Sequence, residues 1–262
     1  MVDACRRFVE NAVIIFLALF RWFTFQSYFA NKIIFPLEQL VVFTLLGIYA
    51  GGHGIVSFYV VGNSIVLAAL GSLAVASTVS DERAQATLGL ILGTPVNRFA
   101  NLLQRGVIPL LDSLFTVAVA LLLAATIFHV DLGSANWSAL VASILAGALS
   151  AIALGFLLGV LTLAWLDLYF AWNIVFMLLL IVAGVNIPPS ELPGWLRPLH
   201  EIVPLGRSIS AAREALAGAS LGDVADLIGV ELATGAAYLV AGYALLRRLE
   251  TVALRRGTLE LT

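Results

Sequence analysis

Residues able to do chemistry are few in this chain, and one short segment groups charged residues at both of its ends. The run 79–98 opens on Ser80-Asp81-Glu82-Arg83 and closes on Thr94-Pro95-Val96-Asn97-Arg98. Apart from it, Asp112 stands inside an apolar stretch at 107–128, while Glu38 and Asp167 fall near the ends of other apolar stretches. An acid in such a place is a candidate for ion or proton binding, because a bare charge in lipid costs at least about 2.5–3.5 kcal/mol. The plainer reading is that Asp112 reaches the nearby interface and is hydrated, and a single acid does not make a proton relay. Nucleotide chemistry is excluded more firmly. A phosphate-cradling loop needs glycines, a lysine and a Ser or Thr in the pattern G-x-x-x-x-G-K-[ST], and the only lysine, Lys32, lies between Asn31 and Ile33. H-E-x-x-H does not occur. Cys5 is the sole cysteine, and His53, His129 and His200 are far apart, so no metal site is expected.

The elements that must carry these residues are set by composition. Hydrophobic residues make up 61% of the 262, charged residues 11%, and mean hydropathy is +1.03. Soluble domains run at about 45–50% apolar and about 25% charged; a water-soluble fold could not hide this much apolar surface. The chain is therefore read as a single all-α transmembrane domain, 1–262. Its formal net charge of −2 gives no sign of nucleic-acid binding. Six stretches have the roughly 20 apolar residues that a crossing requires: 33–51, 57–78, 107–128, 138–162, 169–187 and 226–246. Only 13 residues separate Arg7 from Arg21, too few to cross, so 1–32 is read as an amphipathic region lying along the membrane surface. No small-residue cleavage site follows it, which speaks against a signal peptide.

Lys and Arg set the expected orientation. With both termini inside, the cytoplasmic side holds 11 of the 14 basic residues, leaving Arg197, Arg207 and Arg213 outside. The longer connections are then a cytoplasmic one around 79–105 and an external one at 187–225, which holds Pro188, Pro189, Pro193, Pro198 and Pro204. In the first, Ser80 or Asp81 is a reasonable helix N-cap. Leu88, Ile91 and Leu92 form one apolar stripe, and Pro95 ends the helix by forcing Thr94 out of helical geometry. The result is a short amphipathic helix, charged at one end.

The run Glu82-Arg83 … Thr87-Leu88 … Leu92 … Thr94-Pro95-Val96 … Arg98 resembles the cytoplasmic signature of type-2 permeases of ATP-binding-cassette (ABC) exporters, approximately E-R-E-x-G-T-L-E-x-L-L-x-T-P-V-S-R. Ala84, Ala86 and Gly89 depart from it at an acid, the glycine and a second acid. Ile187-Pro188 … Leu192-Pro193-Gly194-Trp195-Leu196 … Val203-Pro204-Leu205 … Ala212-Arg213 … Leu216 … Gly218 is similar to that family's external segment, with Val203 in place of its asparagine. Tyr59 to Gly62 faintly resembles its entry to the second span.

The resemblance implies six transmembrane helices, an N-terminal interface helix, a cytoplasmic coupling helix at 79–98, and a partly re-entrant external hairpin at 187–225. It implies that Asp81, Glu82, Arg83, Thr87, Leu88, Thr94 and Pro95 serve coupling to an ATPase. Pro188, Pro193, Trp195, Pro204, Leu205 and Arg213 would belong to an external gate. Partners would be two copies of an ABC ATPase, which carry ATP and Mg, and a second permease subunit, identical or a sister. The expected location is the inner (plasma) membrane, and the expected cargo a lipid, drug-like or glycolipid/polysaccharide molecule moved outward. The competing expectation is a proton- or ion-coupled secondary transporter using Asp112. Trp137, Trp165, Tyr169, Phe170, Trp172 and Phe176 are read first as an interfacial aromatic belt and second as a substrate track.

Overall fold

Thr24 starts the first of the described helices by accepting a hydrogen bond from the Ser27 amide on its side-chain oxygen. Helix α1 then runs unbroken through residues 25–51, as α-helix Phe25–Phe29, a π-turn Ala30–Ile34 and α-helix Phe35–Gly51. The computed structural model describes residues 24–51, 56–84, 98–163 and 167–256, and no strand occurs among the described residues. Helix α2 (residues 56–84) tightens briefly into a 3-10 turn at Leu67–Ala69. It is followed by α3 (Arg98–Ile127), α4 (Trp137–Thr162), α5 (Leu168–Val182), α6 (Arg197–Ile202), α7 (Gly206–Leu216) and α8 (Ala225–Arg256). Five helices are long and apolar enough to cross a membrane, and α5 is a shorter apolar helix beside them. The protein is an all-α membrane protein.

Helix α4 is the axis of the bundle, with α2, α7 and α8 packed along it. Its sequence explains why. Lipid tails are as apolar as leucine, so helices in a bilayer associate where small residues let backbones approach. Gly155 lies against the Ser72 backbone, Gly159 against Ala76, Gly147 against Ser208, and Gly242 of α8 against Phe156. The outward faces are the reverse. Ile34, Val42, Leu45 and Leu46 on α1, Leu111, Phe115 and Leu122 on α3, and Ile174, Met177 and Ile181 on α5 are all exposed. In water such a surface would aggregate; facing lipid, it is what a spanning bundle requires.

Three boundaries differ from the sequence reading. The first crossing spans Gln26–Tyr49 rather than starting at 33, so residues 25–32 belong to α1 and not to a surface helix. Lys32, the last residue of the region read as lying on the membrane surface, is neutralised inside the bundle, as described below. Residues 1–23, the rest of the expected interface helix, lie outside the described residues. Next, Ser80 and Asp81 do not cap a new helix: α2 continues through them to Ala84. Last, α5 ends at Val182 and does not reach 187, because Gly184 adopts φ +75°, a left-handed conformation that closes the helix.

Candidate functional site

Two polar assemblies sit within the apolar bundle. The first joins α1 to α3. Lys32 Nζ lies 2.5 Å from Asp112 Oδ2 and 2.7 Å from Thr116 Oγ1, and the Tyr28 hydroxyl is 3.0 Å from Asp112 Oδ1. The lysine and aspartate side chains are only 6% and 15% exposed. Both partners of each helix stand one turn apart, Tyr28 with Lys32 and Asp112 with Thr116, so each helix offers two polar groups on one face. The π-turn Ala30–Ile34 places Lys32 there; wide turns of this kind often mark functional positions. Asp112 is therefore not a lone acid, and with both oxygens occupied it is a poor start for a proton relay. Further along, Gln39 donates to Asn63, and Asn63 donates to Asn186 at 2.7 Å, tying α1, α2 and the end of α5 through a buried amide chain.

The second assembly explains how the chain breaks at membrane depth. Helix α5 has 15 residues, about 22 Å of length, against a hydrocarbon core of about 30 Å. Helices α6 and α7 carry the chain on from there to the start of α8. The Asn136 amide, at the start of α4, donates to the Ala215 carbonyl near the end of α7, whereas Ser208 and Leu205, at the start of α7, lie against Gly147. Gly147 is ten residues along α4 from Trp137, hence about 15 Å deeper. Helix α7 thus rises from mid-membrane to the surface, and its N-terminus is buried.

A buried helix N-terminus leaves amides without partners, and lipid offers none. Glu231 of α8 supplies them. Its side chain is fully buried; Oε1 accepts from the Leu205 amide at 2.7 Å, and Oε2 accepts from Arg207 and Ser208 at 3.2 and 3.3 Å. Two turns further on, Tyr238 donates to the Ile202 carbonyl at 2.7 Å, so α8 satisfies the end of α6 as well. His200 Nδ1 lies 2.8 Å from the Val182 carbonyl; the carbonyl only accepts, so that nitrogen carries the hydrogen. Between α6 and α7, Leu205 takes φ +72°, a conformation costly for a side chain with a Cβ and here held by complete burial. Arg213, on α7, donates to the carbonyls of Gly184 (2.8 Å), Phe58 (2.9 Å) and Val185 (3.0 Å), with its guanidinium 3.6 Å from the Phe58 ring centroid. One arginine fork thereby joins α7, the end of α5 and the start of α2.

A bundle of five helices of crossing length, with a shorter apolar helix followed by a helical hairpin, now meets a direct comparison. The family model described as "ABC-2 family transporter protein" matches residues 26–244. The chain belongs to the ABC-2 transporter family. No match is found among curated proteins. Membership makes it the membrane-spanning permease of an ABC transporter and implies association with an ABC ATPase.

The permease distributes the residues singled out from sequence unevenly. Pro204 and Leu205 are buried at the turn into α7, and Arg213 stands about two turns further along that helix. Pro188 precedes the 3-10 turn Pro189–Glu191, and Pro193 and Trp195 are exposed between that turn and α6. Asp81, Glu82 and Arg83 belong to the last turn of α2; Thr87, Leu88, Thr94 and Pro95 lie outside the described residues. Among the aromatics, Trp137, Tyr169 and Phe170 are exposed as belt residues would be, but Trp172 is buried, donates to Ser72 and stacks on Phe176 at 4.8 Å. Those two belong to the core. Trp165 lies outside the described residues. No group of three or more metal-ligating side chains occurs among the described residues. Sequence reasoning missed Lys32 and Glu231. A signal existed for each: Lys32 is the only lysine, and Glu231 is an acid six residues into the last apolar stretch.

Proposed function

We propose that this permease is the membrane half of an ATP-driven exporter that moves a lipid, drug-like or glycolipid/polysaccharide molecule out of the cytoplasm or inner leaflet. The observation that carries the reading is the re-entrant α6–α7 hairpin, pinned on one side by Glu231 and on the other by Arg213. It closes the outer half of the bundle where an outward-moving cargo must leave. In this reading the Arg98 end of the bundle is cytoplasmic, both termini are on that side, and the protein resides in the plasma membrane. Two permease subunits work with two ATPase subunits. ATP and Mg bind to the ATPases, whose closure drives the segment 79–98. Asp81, Glu82 and Arg83 extend α2 past its apolar window Val56–Ser80, which suits charged contacts with a soluble partner, and Thr87, Leu88, Thr94 and Pro95 complete the docking segment. Export is favoured over import by the hairpin, and a carrier built on Asp112 is disfavoured by its pairing with Lys32.

The test is purification of the chain from its own cells in mild detergent with ATPase activity assayed on the eluate. A copurifying ATPase, lost in the double variant Glu82→Ala, Arg83→Ala while the chain stays folded, is the expected result. A chain that elutes alone and inactive would sink the reading.

A further inference from the structure

We infer that the buried Lys32–Asp112 pair is the joint through which movement of the 79–98 segment reaches α1, so that both are positioning residues of the transport cycle. The inference rests on the functional reading above, since it needs an ATPase to move that segment. The two legs from which the segment emerges are the end of α2 and the start of α3. They are clamped together: Arg105 of α3 is buried and its Nη1 donates to the Thr78 carbonyl of α2 at 2.9 Å. A push on the segment therefore reaches α3 and α2 as one body. Asp112 sits about two turns further along α3, where it meets α1 through four groups, Tyr28, Lys32, Asp112 and Thr116.

What makes this a joint rather than a contact is its chemistry. Apolar side chains sliding past one another in lipid lose little, because lipid replaces the lost contact. Drawing Lys32 from Asp112 would leave two charges in hydrocarbon, which is costly on both sides. The helices can pivot about the pair but not part at it. Other ties of α1 lie further from the segment, among them Gln39 to Asn63 and Gly47 against the Tyr59 ring on α2, and Leu40 packed with Ala120 and Ala124 of α3. The ion pair is thus placed at the input end of α1. A buried ion pair adds little stability over a well-packed apolar pair, and its attested use is to specify register. Here that register is between α3, the helix that follows the docking segment, and α1.

The experiment needs no knowledge of the cargo. In a Cys5→Ser background, Tyr49, the exposed residue near the far end of α1, is replaced by cysteine. Its maleimide labelling rate is then measured in the permease–ATPase complex, without nucleotide and after trapping with ATP and vanadate. The expected result is a change of labelling rate of about tenfold on trapping, the scale of coupling between two sites. That change should vanish in Lys32→Met, Asp112→Leu while ATP hydrolysis continues, and return in the exchanged pair Lys32→Asp, Asp112→Lys. If the apolar pair keeps the full response, the joint is merely structural and the inference is wrong. Should the apolar pair fail to fold, the exchanged pair decides: a folded, ATP-hydrolysing exchanged pair without the response overturns the inference. Absence of any ATPase from the wild-type complex would instead overturn the functional reading, and the joint with it.

Discussion

Glu231→Ala tests most directly how the chain tolerates a break inside the membrane. The substitution removes the acceptor of three amides, those of Leu205, Arg207 and Ser208, at a fully buried helix start. A buried donor left without a partner costs about 1–3 kcal/mol. The Leu205 contact is the shortest at 2.7 Å and belongs at the upper end, about 2–3 kcal/mol. The other two share one oxygen at 3.2 and 3.3 Å and contribute about 1 kcal/mol each. The sum is about 4–5 kcal/mol of local stability, with about 1.4 kcal/mol per tenfold. Amide exchange at 205–208 should then rise about a thousandfold, since local opening governs it. Glu231→Gln keeps one acceptor oxygen but turns an NH2 towards the remaining amides, so a loss of about 2 kcal/mol and an increase of about thirtyfold are expected. Hydrogen exchange by mass spectrometry in detergent micelles measures both. Exchange in Glu231→Ala within about threefold of wild type, from equally folded protein, would refute the claim that this carboxylate holds the hairpin.

Two further substitutions probe the same architecture. Arg213→Lys replaces a planar fork that reaches three carbonyls and stacks on Phe58 by a point charge; the thermal midpoint should fall, and fall further in Arg213→Ala, whereas midpoints equal to wild type would remove the arginine from the hairpin's support. Gly155→Ala sets a methyl group into the Ser72 backbone, forcing α2 and α4 apart at a cost of about 1–3 kcal/mol; a lower yield of monodisperse protein on size exclusion is expected, and an unchanged midpoint would show that the helices are not held at this distance.

How much of this was legible in the sequence follows from which interactions are local. Apolar stretches of crossing length announce themselves residue by residue, because each side chain's preference for lipid is its own. The second, third, fourth and last crossings accordingly lie close to where hydropathy put them. The proline-rich segment at 187–225 was also visible as a place where helix could not continue. What one dimension withholds is the partner. Lys32 fell in the region read as lying on the membrane surface, and Asp112 read as an isolated acid, because the sequence shows the cost of each charge separately. They stand 80 residues apart in the chain and 2.5 Å apart in the fold, and only the packing of α1 on α3 turns two penalties into one neutral pair. Glu231 is the same case: a carboxylate in an apolar stretch looks unfavourable until the start of α7 is brought against it, and that start exists only because α5 stops short. Composition and hydropathy determined that this chain lives in a membrane and roughly where it crosses. Tertiary structure alone decided which polar groups inside the membrane satisfy one another, because in lipid those groups have no water to turn to and must find their partners across the bundle.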